Sequence, residues 1–224
     1  MIKNELDMLI DYYYRQLSLG LEVDNTYNGI YKYKLDIDNR ELSLIEFLYT
    51  DEENIKIPDV FEKIDADLIG YVENGSMDGE MFLKSVDFNN VKECKGILCP
   101  TIESVKSDYI EVIYSTFAFN SLIKDFNFKN MKKLGEYSFY ACSELEFLDL
   151  RSVEEIDSHA IIECGNLKEI HLEHIKKLGS RCFDRLNEDF KLVFHNMSKE
   201  EVLKLFSKSK DRHYNEIKFE IVED

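Results

Sequence analysis

The chain has 224 residues, of which 45 are acidic and 28 basic, for a formal net charge of −17. At 44% hydrophobic and 12% aromatic it can bury a sizeable core, which excludes wholesale disorder. The acidic excess argues against a nonspecific grip on DNA, RNA or anionic lipid, because counterion release needs a basic surface.

In chain order the first predicted element is a helix, since Leu6, Leu9, Ile10, Tyr13 and Leu17 share one helical face. Glu5, Asp7 and Asp11 stand where a secretion signal would need an apolar core. No run reaches the roughly 18 apolar residues of a membrane span, so a cytoplasmic setting without membrane contact is expected. The alternating Tyr31, Tyr33, Leu35 and Ile37 follow Asn28-Gly29 and predict a strand or hairpin. Residues 1–53 read as an N-terminal cap.

Repeats begin next. NIKIPDVFEKIDADLIGY directs Ile55, Ile57, Phe61 and Ile64 inward, and Leu83, Val86, Phe88, Val91 and Cys94 resume the pattern. Val105, Ile110 and Ile113 repeat it at a period of 19. From Leu122 the period is 22, and four columns share it: Phe126, Leu148, Ile170 and Leu192; Phe128, Leu150, Leu172 and Phe194; Leu134, Ile156 and Leu178; Phe139, Ile161 and Phe183. A fixed period with L-x-x-L-x-L spacing, as in Leu145, Leu148 and Leu150, is the signature of a leucine-rich solenoid. One row cannot hide its apolar face, whereas stacking rows at about 4.8 Å per strand buries it in a rod roughly 30 Å long.

After residue 196 the repeat stops. Ser198-x-x-Glu201 is a capping box that opens a short helix with Val202, Leu203 and Phe206 apolar, and Ile217, Phe219 and Ile221 alternate as a last strand. The organisation expected is a cap over 1–53, a solenoid over 54–196 and a second cap over 197–224.

The pieces IKIP, MKKLGEYSFYAC and VEEIDSHAIIEC, over roughly residues 54–196, resemble the BspA-like leucine-rich repeats. The resemblance implies an α/β repeat solenoid, a right-handed coil with a ladder of short parallel strands, in a class of modules that serve in binding proteins. Helical caps are expected at both ends.

Catalytic signals are sparse. No phosphate-binding loop, nucleophile elbow or metal-ligand helix motif occurs, so no enzyme, cofactor or metal is expected. His171, Glu173, His174 and His195 form the best cluster for proton transfer or a transition metal, but neighbouring strands acquire such pairs routinely. Cys142 and Cys164 share a column near disulfide range, while the reading as small buried fillers suits a reducing compartment. Tyr12 to Tyr14 could stack bases, though helix packing accounts for Tyr13.

The outward positions of the ladder are not dictated by the fold. They run Asp125, Asn127, Lys129; Phe147, Asp149, Arg151; Glu169, His171, Glu173; and Lys191, Val193, His195. Phe147 stands out, because a central aromatic ringed by charge is how interface hot spots are composed; a lone exposed Phe packed on a neighbour is the plainer reading. Residues 51–80 are strongly acidic, including Asp51, Glu52, Glu53, Asp65 and Asp67, which suits either a solvated surface or a patch that seats on a basic partner. The function expected is a non-catalytic module binding a protein partner with a basic surface. An inhibitor of a nucleic-acid-processing enzyme, such as an anti-CRISPR or other phage counter-defence protein, is the alternative.

Overall fold

The computed structural model describes residues 2–23, 25–48, 52–69, 83–120, 122–123, 128–209, 214 and 216–223. Helix α1 (Ile2–Ser18) has Glu5 in its first turn and Arg15 in its last, each favourable to the helix dipole. It ends in a Schellman motif: the Gly20 N–H donates to the Leu17 carbonyl at 3.0 Å and the Leu21 N–H to that of Gln16 at 3.1 Å, with Gly20 left-handed at φ 66°. Ile10 is buried and Leu6 and Leu9 pack on the core, but Leu17 is 51% exposed. It shares their face, yet lies in the last turn, beyond the surface that the helix covers. No helix among the described residues is long and apolar enough to cross a membrane.

The strands β1 (Thr26–Tyr27), β2 (Tyr31–Asp36) and β3 (Glu41–Phe47) form an antiparallel meander. Asn28 and Gly29 both have positive φ, as the type I′ turn between β1 and β2 demands. The Tyr27 hydroxyl donates to Glu5 Oε1 at 2.8 Å and ties helix to meander. β3 then pairs in parallel with β5, Leu44 opposite Ile64, so the N-terminal segment continues directly into the repeat sheet.

The repeats follow as β4 (Asn54–Lys56), β5 (Lys63–Ile69), β6 (Ser85–Asp87), β7 (Glu93–Leu98), β8 (Ser104–Lys106) and β9 (Val112–Tyr114). Next come β10 (Lys133–Leu134), β11 (Phe139–Tyr140), β12 (Phe147–Asp149), β13 (Glu155–Ile156), β14 (Ile161–Ile162), β15 (Glu169–Leu172), β16 (Lys177–Leu178), β17 (Phe183–Asp184) and β18 (Lys191–His195). Helix α2 (Lys199–Ser209) and β19 (Lys218–Val222) close the chain. Among the described residues the strands form four sheets: β1-β2-β3-β5-β7-β9-β10-β13-β16, β4-β6-β8, β11-β14-β17 and β12-β15-β18-β19. From β4 onward every pairing is parallel. The result is a repeat fold of parallel ladders.

Register follows the hydrophobic columns. Leu148 pairs with Ile170 and Ile170 with Leu192, Leu134 with Ile156 and Ile156 with Leu178, Phe139 with Ile161 and Ile161 with Phe183. The eroded repeats hold the same alignment, with Ile55 beside Val86 and Val86 beside Val105. Phe126, which heads one column, lies outside the described residues. Stacking identical offsets at strand spacing removes each apolar row from water, and Leu148, Leu150, Ile156, Ile170 and Leu172 are wholly buried.

A column of polar and thiol side chains completes the interior. Asn120, Cys142 and Cys164 line up, and each donates to a carbonyl of the preceding repeat: Asn120 Nδ2 to that of Cys99 at 3.3 Å, Cys142 Sγ to that of Phe117 at 2.9 Å and Cys164 Sγ to that of Phe139 at 3.6 Å. All five cysteines are buried free thiols. Two further columns hold left-handed residues, Ser115, Tyr137, His159 and Arg181, then Phe119, Ala141, Glu163 and Arg185, every φ between 49° and 62°. These flank β11, β14 and β17 and turn the chain at each side of the short strand.

Charge is also periodic. Glu146 pairs with Lys168 at 2.6 Å, Glu154 with Lys176 at 2.5 Å, Glu155 with Lys177 at 3.3 Å and Glu169 with Lys191 at 3.2 Å, and Glu163 pairs with Arg185. In each of these pairs the acid precedes the base by one repeat.

α2 starts as its sequence dictates. The Ser198 N–H donates to Glu201 Oε2 at 2.8 Å and the Glu201 N–H returns to Ser198 Oγ at 3.3 Å. Val202, Leu205 and Phe206 face inward, with Phe206 stacked on Tyr214 and edge-on to Phe194, whereas Leu203 is exposed.

Candidate interaction surface

Side chains that alternate out of β12, β15 and β18 share one face. Phe147 is 41% exposed and meets the His171 ring edge-on, centroids 4.8 Å apart. His171 Nδ1 lies 2.8 Å from His195 Nε2, and His171 Nε2 lies 3.2 Å from Glu169 Oε2. The three rings thus run diagonally across neighbouring strands. Glu173 follows the last residue of β15 and accepts at 3.0 Å from Nδ2 of Asn196, next to His195 in the chain.

The charges on this face are mutually satisfied. Arg151 binds Asp149 through two nitrogens, at 3.0 and 2.8 Å, and this holds the Asp149 carboxyl below the usual carboxylate range. Hydrogen bonds from His171 and then Lys191 do the same for Glu169. Lys191 bridges Glu169 and Glu220, which raise its own pKa, the larger effect coming from Glu220. Val193 and His195, expected on the outer ladder, are 3% and 7% exposed. Val193 sits in register between His171 and Glu220, whose longer side chains shield it. Asp125 and Asn127 lie outside the described residues.

Several acids of the first repeats are paired across to the next repeat. Glu53 pairs with Lys84 at 2.7 Å, Glu62 with Lys92 at 2.7 Å and Asp65 with Lys95 at 2.9 Å. Each of these lysines comes from the following repeat, about 30 residues on, a pairing that the local sequence does not display. Glu52 and Asp67 are exposed, and Asp51 lies outside the described residues, as do Glu73, Asp78 and Glu80.

Among the described residues no group of three or more His, Cys, Asp or Glu side chains is placed to hold a metal ion. Both His171 nitrogens have partners, and its contact with His195 needs one donor and one acceptor, so this pair is a hydrogen-bonded element of the sheet.

A feature that the hydrophobic columns do not mark is a groove of about 710 Å³ on the nine-stranded sheet, lined by Tyr114, Glu136, Tyr137 and Gly179 among others. Gly135 and Gly179 occupy one offset two repeats apart, and that recurrence is the sequence signal that could have found it.

The BspA type leucine rich repeat region family matches residues 79–189 in six copies. No curated protein matches the chain. A solved structure, "The Crystal structure of Pneumococcal vaccine antigen PcpA", is similar at 12% identity with a TM-score of 0.41, over 90% of this chain and 50% of that one. The chain therefore spans about half the length of that relative. With its columns in register and six copies of the family repeat over residues 79–189, the chain is a BspA-like leucine-rich-repeat protein.

Proposed function

We propose that this protein is a non-catalytic binding module whose repeats wind as a right-handed solenoid over 54–196, capped by 1–53 and 197–224. Its partner is a protein with a basic surface. Contact is made by the outer ladder at Phe147, Asp149, Arg151, Glu169, His171 and Glu173, with the acids Asp51, Glu52, Glu53, Asp65 and Asp67 contributing at longer range.

The observation that carries this reading is Phe147: a large aromatic, 41% exposed, beside a hydrogen-bonded polar network. Preordered charge around a partly exposed ring lowers the entropy lost on docking, and aromatic residues dominate interface energetics. The acids and the ring do different work. Charge speeds encounter and brings salt dependence, whereas a docked ring slows release.

The test is affinity capture with the full chain, followed by surface-capture kinetics on the partner so identified. Phe147→Ala should raise the dissociation rate by an amount worth about 1–3 kcal/mol, and neutralising Glu52, Glu53, Asp65 and Asp67 should lower the association rate and flatten its salt dependence. Kinetics unchanged in both variants would discard this face.

A further inference from the structure

We propose that the groove beside Gly135 is a docking site for an arginine side chain presented by a protein segment. It lies on the nine-stranded sheet, whereas Phe147 belongs to the four-stranded one, so this goes beyond the function proposed above.

One wall is fixed in place. The Tyr114 ring lies on the Gly135 backbone so closely that a Cβ there would fall 1.9 Å from Tyr114 Cδ1. Lys133 Nζ stands 5.7 Å from the Tyr114 ring centroid and is itself anchored to Asp157 at 2.9 Å. Tyr137 also lines the groove, and its left-handed backbone (φ 55°) is locked by donation of its N–H to the His159 carbonyl at 3.1 Å. Its ring lies nearly parallel to the His159 imidazole, at 13°, and is 42% exposed.

Charge selects the occupant. Lys95, Asp157 and Lys177 line the same groove, and each is already in an ion pair, with Asp65, Lys133 and Glu155. Glu136 is exposed and, among the described residues, makes no ion pair. A carboxylate without a counter-charge, next to an exposed phenol face, suits a cation that is also planar. Guanidinium stacks on aromatic faces and binds carboxylate through two N–H groups, which an ammonium does not.

The aromatic surface continues beyond the groove. Tyr140 lies 6.2 Å from Tyr137 and meets Phe119, 41% exposed, edge-on at 4.8 Å. Residues flanking the arginine would rest there, which is why the occupant is a protein segment rather than a free cation.

The test is an NMR titration of the full chain with a blocked glycyl-arginyl-glycine tripeptide, with its lysine and citrulline versions and a neutral glucose trisaccharide as comparators. Saturable shifts of the Tyr114 and Tyr137 ring signals and the Glu136 amide are expected with the arginine peptide. Binding should weaken about tenfold or more with lysine and disappear with citrulline. Glu136→Gln and Tyr137→Ala should each weaken it about tenfold, Tyr137→Phe should retain it, and Phe147→Ala should leave it unchanged. Glu136 is exposed, so a melting temperature equal to the parent's confirms that its variant is folded. Equal response to citrulline, saturation by the trisaccharide alone, shifts confined to other surfaces, or parental binding by a folded Glu136→Gln variant would each overturn the proposal.

Discussion

The imidazoles of His171 and His195 meet nitrogen to nitrogen, Nδ1 of the first and Nε2 of the second 2.8 Å apart, from neighbouring strands. His195 is buried and His171 half-buried, so the contact is shielded from water and adds to the stability of the sheet. His171→Ala removes this bond and the one to Glu169, and should cost about 1–2 kcal/mol in urea unfolding. Phe147→Ala, at an exposed site, should cost less than His171→Ala. The reverse order would mean that Phe147 is a packing residue and no candidate for a partner.

Leu150 tests the stacked core. It is fully buried, its N–H donates to the His171 carbonyl at 2.9 Å, and its side chain occupies the column continued by Leu172 and Phe194. Leu150→Ala should cost about 2–5 kcal/mol through the cavity it leaves. Leu150→Asp should cost more and at neutral pH leave little folded protein, seen as loss of cooperative melting by circular dichroism.

Backbone geometry gives opposite signs at two small residues. Gly96 has φ 135° and a Cβ there would fall 2.1 Å from the Ala66 carbonyl oxygen, so Gly96→Ala should destabilise by several kcal/mol. Ala141 is left-handed at φ 56°, where a Cβ is a burden. Ala141→Gly should therefore raise stability or leave it level, by up to about 1 kcal/mol, as glycine's larger chain entropy offsets part of the relief. Chemical denaturation of the two variants side by side checks both.

Stability should form a plateau in pH. Asp149 and Glu169 have lowered pKa values, so their contribution is present above the ordinary carboxylate pKa, about 4, and is lost as pH falls through the folded values. Tyr27 is pushed up to about 12, chiefly by burial and then by its bond to Glu5, so its contribution is full below pH 10 and lost as pH rises toward 12. Burial pushes the Cys94 thiol up to about 12 as well, with the same sign from pH 9 upward. Tyr27→Phe removes one of these protons and should make the alkaline limb of unfolding free energy against pH less steep.

How much was legible follows from what each residue type must do. Leu148, Ile170 and Leu192 betray their register because a buried column tolerates only apolar side chains, and the period is then plain. The left-handed corners at Tyr137, His159 and Arg181 carry no glycine, so nothing in their identity announces a turn; the ladder hydrogen bonds impose it. The partners of Glu53 and Asp65 were invisible for another reason, since they stand about 30 residues away across a register that the longer first repeat alters. Val193 looked exposed by alternation alone, and neighbouring long side chains bury it. Glu136 and Tyr137 belong to no hydrophobic column, so apart from the neighbouring Gly135 and its counterpart Gly179 it is the groove they share with Tyr114 that draws attention to them.

The order of the ion pairs, acid on one repeat and base on the next, has a bearing on how such a chain can change in length. Glu146, Glu154, Glu155 and Glu163 each face a base at the same offset one repeat on, Lys168, Lys176, Lys177 and Arg185, so a copy of either repeat would meet its original with the same sign of charge. Duplication of one such unit would shift no hydrophobic column but would set like charges face to face at these offsets. Each of these seams is thus particular to its two neighbours, and a change in copy number there calls for new charges at the junction.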